Sequence, residues 1–190
     1  MRNKVFLNSI LVLSVSVASS LAFAETGKNI FTPPKKAEGR SETKPSIALS
    51  AGMSDTDGNR RTTVGYNAEY AIQPVIPFSV GVKLGSYSTP STSSQAALTR
   101  TNLLLTGDYN FGGDIPVIKN SYVGLELGPV LDNINNASTV DFGLAPRIGF
   151  DIPIGEAPQK FSLGALADYM WIGGAKPNVF ALNGVVKYWF

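Results

Sequence analysis

The sequence predicts an all-β protein: an eight-stranded antiparallel up-and-down transmembrane β-barrel. Three observations predict it. From Ser46 to Phe190 polar and apolar residues alternate in eight separate runs, the period of a strand with one apolar face. Each run holds roughly 9–13 residues, enough for a tilted strand to cross a bilayer. The apolar face carries the bulky side chains and the polar face carries Gly, Ser, Ala and Asn. The interior of an eight-stranded barrel has room for small side chains and little else.

The residues before the first run read differently. Arg2 and Lys4 precede the largely apolar stretch 5–18, and "AFA" at 22–24 follows. A basic start, a short apolar centre and a small-residue cleavage pattern predict a signal peptide over 1–24. The stretch is too short and too interrupted by Ser for a spanning helix. Residues 25–45 are polar, Pro-containing and aperiodic, and are expected to form a flexible periplasmic lead. The barrel is then 46–190.

Loss of the signal changes the charge balance. The chain has 16 basic and 14 acidic residues; without Arg2 and Lys4 both counts are 14. A nucleic-acid binder should carry a basic excess, so no nucleic-acid partner is expected. The chain contains no Cys, which removes disulfides and thiolate chemistry.

The eight runs follow in order. In 46–54, Ile47, Leu49, Ala51 and Met53 share the apolar face. In 63–72 it is Val64, Tyr66, Ala68, Tyr70 and Ile72. In 78–87 it is Phe78, Val80, Val82 and Leu84. In 99–111 it is Leu103, Leu105, Tyr109 and Phe111. The fifth run, 122–131, shows Val123, Leu125, Leu127 and Leu131. The sixth, 140–152, shows Val140, Phe142, Leu144, Ile148, Phe150 and Ile152. The seventh, 161–171, shows Phe161, Leu163, Ala165, Ala167, Tyr169 and Trp171. The eighth, 179–190, shows Phe180, Leu182, Val186, Tyr188 and Phe190. Short connections rich in Gly, Pro, Asn, Asp and Ser separate them, as in a meander of hairpins. Pro146, inside the sixth run, cannot donate to the ladder, so a bulge or a missing hydrogen bond is expected there.

Alternation alone fits a soluble barrel as well as a membrane one; the aromatic residues decide between them. Of 16 in the eight runs, 13 lie on the apolar face. With the first strand rising from the periplasm, Tyr70, Phe78, Tyr109, Phe111, Phe150, Phe161, Tyr188 and Phe190 fall at one level. Phe142, Tyr169, Trp171 and Phe180 fall at the other, with Leu, Val and Ala between. Two aromatic belts around an aliphatic band suit a bilayer, because amphipathic rings prefer its interfaces.

The chain resembles, over 46–190, the small eight-stranded outer-membrane barrels of Gram-negative bacteria. These include the transmembrane domain of outer-membrane protein A and its X and W relatives. The resemblance rests on strand count, alternation and the final segment. In that family the last strand ends in Phe, with apolar residues at alternate positions before it. Here these are Phe190, Tyr188, Val186 and Leu182, with Gly184 a weak match. The resemblance implies recognition by the barrel-assembly machinery and periplasmic chaperones. It implies residence in outer-membrane lipid and lipopolysaccharide, as a monomer.

The polar face supplies the candidate site residues: Glu69, Lys83, Arg100, Asp108, Glu126, Asp141, Arg147, Asp151, Asp168 and Lys187. Unpaired charges in a narrow interior are costly. A hairpin folded about Val75 sets Glu69 beside Gly81 and diagonal to Lys83, predicting a Glu69–Lys83 pair. Arg147 lies diagonal to Glu126 and Asp168, predicting a three-residue cluster. The absence of His removes Ser-His and Asp-His mechanisms, on which the barrel hydrolases that resemble this architecture depend. Lys83 and Lys187 read as structural rather than as partners of a serine nucleophile. Asp55 and Asp57 begin a calcium-loop pattern that lacks its remaining ligands. No cofactor or metal is expected. The expected role is structural or interfacial in the cell envelope, with a lumen plugged by side chains. A small channel for ions or apolar solutes is the second expectation, and surface adhesion through the loops the third. The short loops, and the ending of the chain at the barrel without a wall-binding domain, count against adhesion and wall anchoring.

Overall fold

The structure is a computed structural model that describes residues 45–56, 62–75, 77–91, 96–111, 118–134, 137–155, 160–174 and 176–190. The expected signal peptide and all but the last residue of the lead lie outside the described residues, as does Asp57. Eight strands follow in order: β1 Ser46–Thr56, β2 Thr62–Val75, β3 Phe78–Thr89, β4 Leu98–Asn110, β5 Ser121–Ile134, β6 Ala137–Ile154, β7 Phe161–Ile172 and β8 Val179–Trp189. A 3-10 turn, Ile118–Asn120, precedes β5. Each strand pairs antiparallel with its neighbours, and β8 returns to β1, so the sheet is a closed barrel. Closure leaves no edge for aggregation.

The registers fix its shape. Rungs run from Ile148 through Ala167, Leu182, Met53, Val64, Ser88, Thr99 and Asn133, and return to β6 at Ser138. The wall therefore closes with a stagger of ten residues, 148 against 138. Such a stagger tilts the strands, as closure requires. Pro45, Phe190 and the turn at Pro77 mark the lower rim. Gly173, Gly174 and Pro90 mark the upper rim.

The face assignment follows from packing. Leu105 is 59% exposed while Leu104 beside it is 0% exposed. Glycines give an independent reading. A Cβ on inward Gly65 would meet the Tyr87 ring at 2.1 Å, and one on Gly164 would meet Phe150 O at 1.9 Å. On outward Gly107 it would meet nothing within 4 Å. The interior is thus filled and the exterior bare. Below its upper rim the exterior is also largely apolar, from Ile47 round to Phe190. A contiguous apolar surface of this size needs an apolar solvent, and a bilayer supplies one. Gly155 and Gly174, just past β6 and β7, hold left-handed φ values of 89° and 79°, where a Cβ is disfavoured.

The aromatic residues cluster by level. Low on the wall, Phe78 meets Tyr109 edge-on at 5.5 Å and Tyr109 meets Phe111 at 5.4 Å. Tyr188 touches both Phe161 and Phe190 there, at 4.9 and 5.2 Å. Tyr70 and Phe150 complete this belt from β2 and β6. High on the wall, Tyr169 meets Trp171 at 5.6 Å, beside Phe180 and Phe142. This upper group covers β6–β8 only, with Tyr66 standing apart on β2; on β3–β4 the outward upper residues are Ser86, Ser88, Thr99 and Thr101. The two expected belts are therefore unequal.

Pro146 causes a gap and not a bulge. It keeps its rung to Leu125 on β5, but β6–β7 pairing jumps from Leu144–Trp171 to Arg147–Asp168 with the register unchanged. Pro129 does the same on the other side of that hairpin. It faces Phe142, while β4–β5 pairing jumps from Asn102–Val130 to Leu105–Leu127. Each proline turns its missing donor away from the β5–β6 seam, which stays paired throughout.

Candidate functional site

The lumen is layered. Two apolar clusters, one higher and one lower on the wall, pack beside a charged one. The upper apolar layer is Leu104, Val130, Ala145, Met170, Ile172 and Val179; the lower is Ala48, Tyr122, Leu166 and Val185. On β4 to β8, alternation brings these residues inward at the parity that carries charges elsewhere in the strand.

The charged layer centres on Arg147, on β6. Its Nε donates to Asp108 Oδ1 at 2.6 Å, and its Nη2 donates to Asp108 Oδ2. Nη1 donates to Glu69 Oε2 at 2.9 Å and to Glu126 Oε1 at 3.0 Å; Nη2 donates to Glu69 Oε1 at 2.8 Å. All five guanidinium N–H groups are thereby engaged. Glu69 is on β2, four strands from β6 in either direction round the wall. The bidentate Arg147–Glu69 pair therefore crosses the lumen from wall to wall. Thr106 Oγ1 also donates to Glu69, at 3.0 Å.

Lys83 takes different partners from those expected. Its Nζ donates to both oxygens of Glu126, at 2.8 and 2.7 Å, and lies 3.5 Å from Asp168 Oδ2. The expected Glu69–Lys83 pair is not made, although the register sets Glu69 directly opposite Lys83 and Ala71 opposite Gly81. The hairpin turns one residue later than Val75, after an irregularity between Ile72 and Val75. Side chains directly opposite on a curved wall project side by side into the lumen. The two long chains reach past each other to far strands. The expected Arg147–Glu126–Asp168 cluster is likewise corrected. Arg147 holds Glu126 and lies directly opposite Asp168 in register, but Asp168 goes to Lys83. In all, two cations face four carboxylates in this layer: Arg147 and Lys83 against Glu69, Asp108, Glu126 and Asp168.

Below it, Lys187 on β8 pairs with Asp151 on β6. The Lys187 ammonium lies 5.2 Å from the Tyr122 ring centre and 5.3 Å from that of Trp189; Arg147 stands 5.8 Å from Tyr122. Tyr122 is a buried aromatic spacer between two cations. An amide layer lies above Glu69. Tyr87 OH donates to Asn67 Oδ1 at 3.0 Å, and Asn67 Nδ2 donates to Ser50 Oγ at 3.1 Å. Asn102 and Asn183 join this layer, 1% exposed each.

Arg100 is not in the central layer. It lies near the upper rim, bidentate to Asp132, with Nε and Nη2 donating at 2.7 and 2.9 Å. Lys176, between β7 and β8, reaches Asp132 Oδ2 at 3.1 Å, Thr139 Oγ1 at 2.5 Å, and Asp141. Partial burial disfavours the Lys176 charge, but hydrogen bonds to Asp141 and Asp132 outweigh it and hold its pKa above the ordinary lysine value. Sequence reasoning placed Asp132 and Lys176 in connections. The signal for Asp132 was its parity with Glu126 and Val130; Lys176 carried none.

Phe190, Val186 and Leu182 all face outward, as does the half-exposed Tyr188. Phe190 N donates to Pro45 O at 3.1 Å, and Tyr188 lies level with Ile47. These residues close the β1–β8 seam. The arrangement joins opposite walls, fills the lumen with side chains and presents an apolar exterior.

No family model matches the chain, and no curated protein sequence matches it. Solved structures do. The chain is similar to Neisserial surface protein A, with a TM-score of 0.63 and 14% identity, over 79% of this chain and 98% of that one. It is also similar to Ail, the attachment invasion locus protein of Yersinia pestis, solved with the heparin analogue sucrose octasulfate. There the TM-score is 0.55 and the identity 16%, over 79% of this chain and 100% of that one. With its closed antiparallel wall, filled lumen and apolar exterior, this chain has the fold of the small eight-stranded outer-membrane β-barrels.

Proposed function

We propose that the chain is a non-enzymatic integral protein of the Gram-negative outer membrane, exported by the segment 1–24. Its barrel is closed by its own side chains and serves a structural or interfacial role in the envelope. The observation that carries this reading is the bidentate Arg147–Glu69 pair across the lumen. Packed side chains bury it, with Arg147 5% and Glu126 0% exposed, so an ion meets little water and a high desolvation barrier. The working surface is then the exterior: outer-membrane lipid and lipopolysaccharide against the apolar band. Assembly through periplasmic chaperones and the barrel-assembly machinery, read from Phe190, Tyr188, Val186 and Leu182, belongs to the same proposal. So does a monomeric state.

Planar-bilayer recording of the purified protein tests the closed lumen. The expected result is no steady single-channel conductance in monovalent salt. A steady conductance altered by Arg147→Lys would replace this reading with that of a small channel.

A further inference from the structure

The upper end of the lumen is held in an unusual way. The β5–β6 hairpin rises above β7: rungs between β5 and β6 run up to Ile134–Ala137, whereas the highest rung between β6 and β7 is Gly143–Ile172. The β7-facing side of β6 above Gly143 is met instead by groups that follow β7. Gly173 N donates to Phe142 O at 2.9 Å. Lys176 then crosses to Thr139, Asp141 and Asp132.

These contacts form a chain of alternating charge, Arg100–Asp132–Lys176–Asp141, drawn from β4, β5, β6 and the link between β7 and β8. Two neighbours of that link, Ile172 and Val179, are members of the upper apolar layer. The groups that position Lys176 thus stand directly above apolar side chains of the upper lumen. Lys176 itself stays 22% exposed, so solvent and salt reach it as they do not reach Lys83 or Arg147.

We propose that Lys176 is an electrostatic clasp: its pairing with Asp132 and Asp141 holds the upper apolar layer shut against water, and its release lets water reach Val179 and Ile172. The clasp is local. It leaves the central charged layer and the lower apolar layer as they are. Salt weakens it, because a partly exposed ion pair is screened.

The chain has no cysteine, so single cysteines report cleanly. Val179→Cys (upper layer) and Val185→Cys (lower layer) are each placed in the otherwise unchanged protein and again beside Lys176→Met. A water-soluble maleimide is added to the folded, bilayer-inserted barrel. Lys176→Met is expected to speed labelling at 179 by tenfold or more and leave 185 unchanged. Molar salt is expected to speed labelling at 179 when Lys176 is present and to do little in the Met variant. Equal rates at 179 with and without Lys176 would overturn the proposal. So would an equal acceleration at both cysteines, which marks general loosening and not a clasp. The heat-dependent gel shift of each variant establishes that it is folded.

Discussion

Arg147→Leu is expected to lower the barrel's unfolding free energy by about 3–5 kcal/mol, the range for removing one partner of a buried ionic set. Leucine approximates the aliphatic stem and removes all five donors. Among the described residues, Glu69 then keeps the Thr106 hydroxyl, and Asp108 loses both Arg147 bonds. Glu126 keeps Lys83. The carboxylates already outnumber the cations in this layer, and Glu69 and Asp108 lose their ion pairs with Arg147. Arg147→Lys should fall between the two, because an ammonium cannot hold three carboxylates in the fork geometry that the guanidinium uses. Adding Asp108→Asn to Arg147→Leu should recover part of the loss. Urea titration in lipid vesicles, read by gel mobility and by Trp171 and Trp189 fluorescence, measures all three. A midpoint unmoved by Arg147→Leu would mean that the lumen is held together by something other than this network.

Leu105→Arg is expected to cost about 2–4 kcal/mol, the penalty for a cation on the lipid face near the bilayer centre. Leu105 sits near the middle of β4 and is exposed on the outer wall. The adjacent Leu104 belongs to the packed upper layer with Val130 and Met170. There Leu104→Ala should leave a cavity and cost about 2–5 kcal/mol, whereas Leu105→Ala only exchanges lipid contacts and should cost far less. Three consecutive leucines, 103–105, thus carry opposite expectations by parity alone. The same vesicle titration reads them. If the two Ala variants behave alike, the inside–outside assignment of β4 is wrong.

Much of this was legible in the sequence because alternation depends on local geometry. A strand of period two needs no knowledge of its neighbours, so all eight runs were found and most bounds fell within two or three residues. The widest misses, three residues each, were the end of β2 at Val75, the end of β5 at Ile134 and the start of β6 at Ala137. The short fifth run hid Asp132 as a rim group, and with it Lys176 as the partner of Asp132 and Asp141. Charge pairing was less legible. Expectation placed partners on adjacent strands, as in an open sheet. In a closed barrel the long side chains meet across the lumen, and those meetings depend on stagger, curvature and hairpin register together. Glu69 and Lys83 show this best: they are nearest neighbours on the wall, yet each pairs with a group from another strand. The prolines sit between these cases. A missing donor was predictable at Pro146, but the side on which the ladder broke depended on which neighbour the residue faced.

The central claim is that the apolar face meets lipid while the alternate face is packed shut. Through-space magnetisation transfer from the methyl groups of Leu103, Leu104 and Leu105, in the protein embedded in a lipid nanodisc, tests it without substitution. The structure predicts transfer between lipid acyl chains and the Leu103 and Leu105 methyls, and none from lipid or water to Leu104. Contact of Leu104 with water would mean an open lumen, and contact of Leu104 with acyl chains would invert the barrel wall; either result contradicts the account.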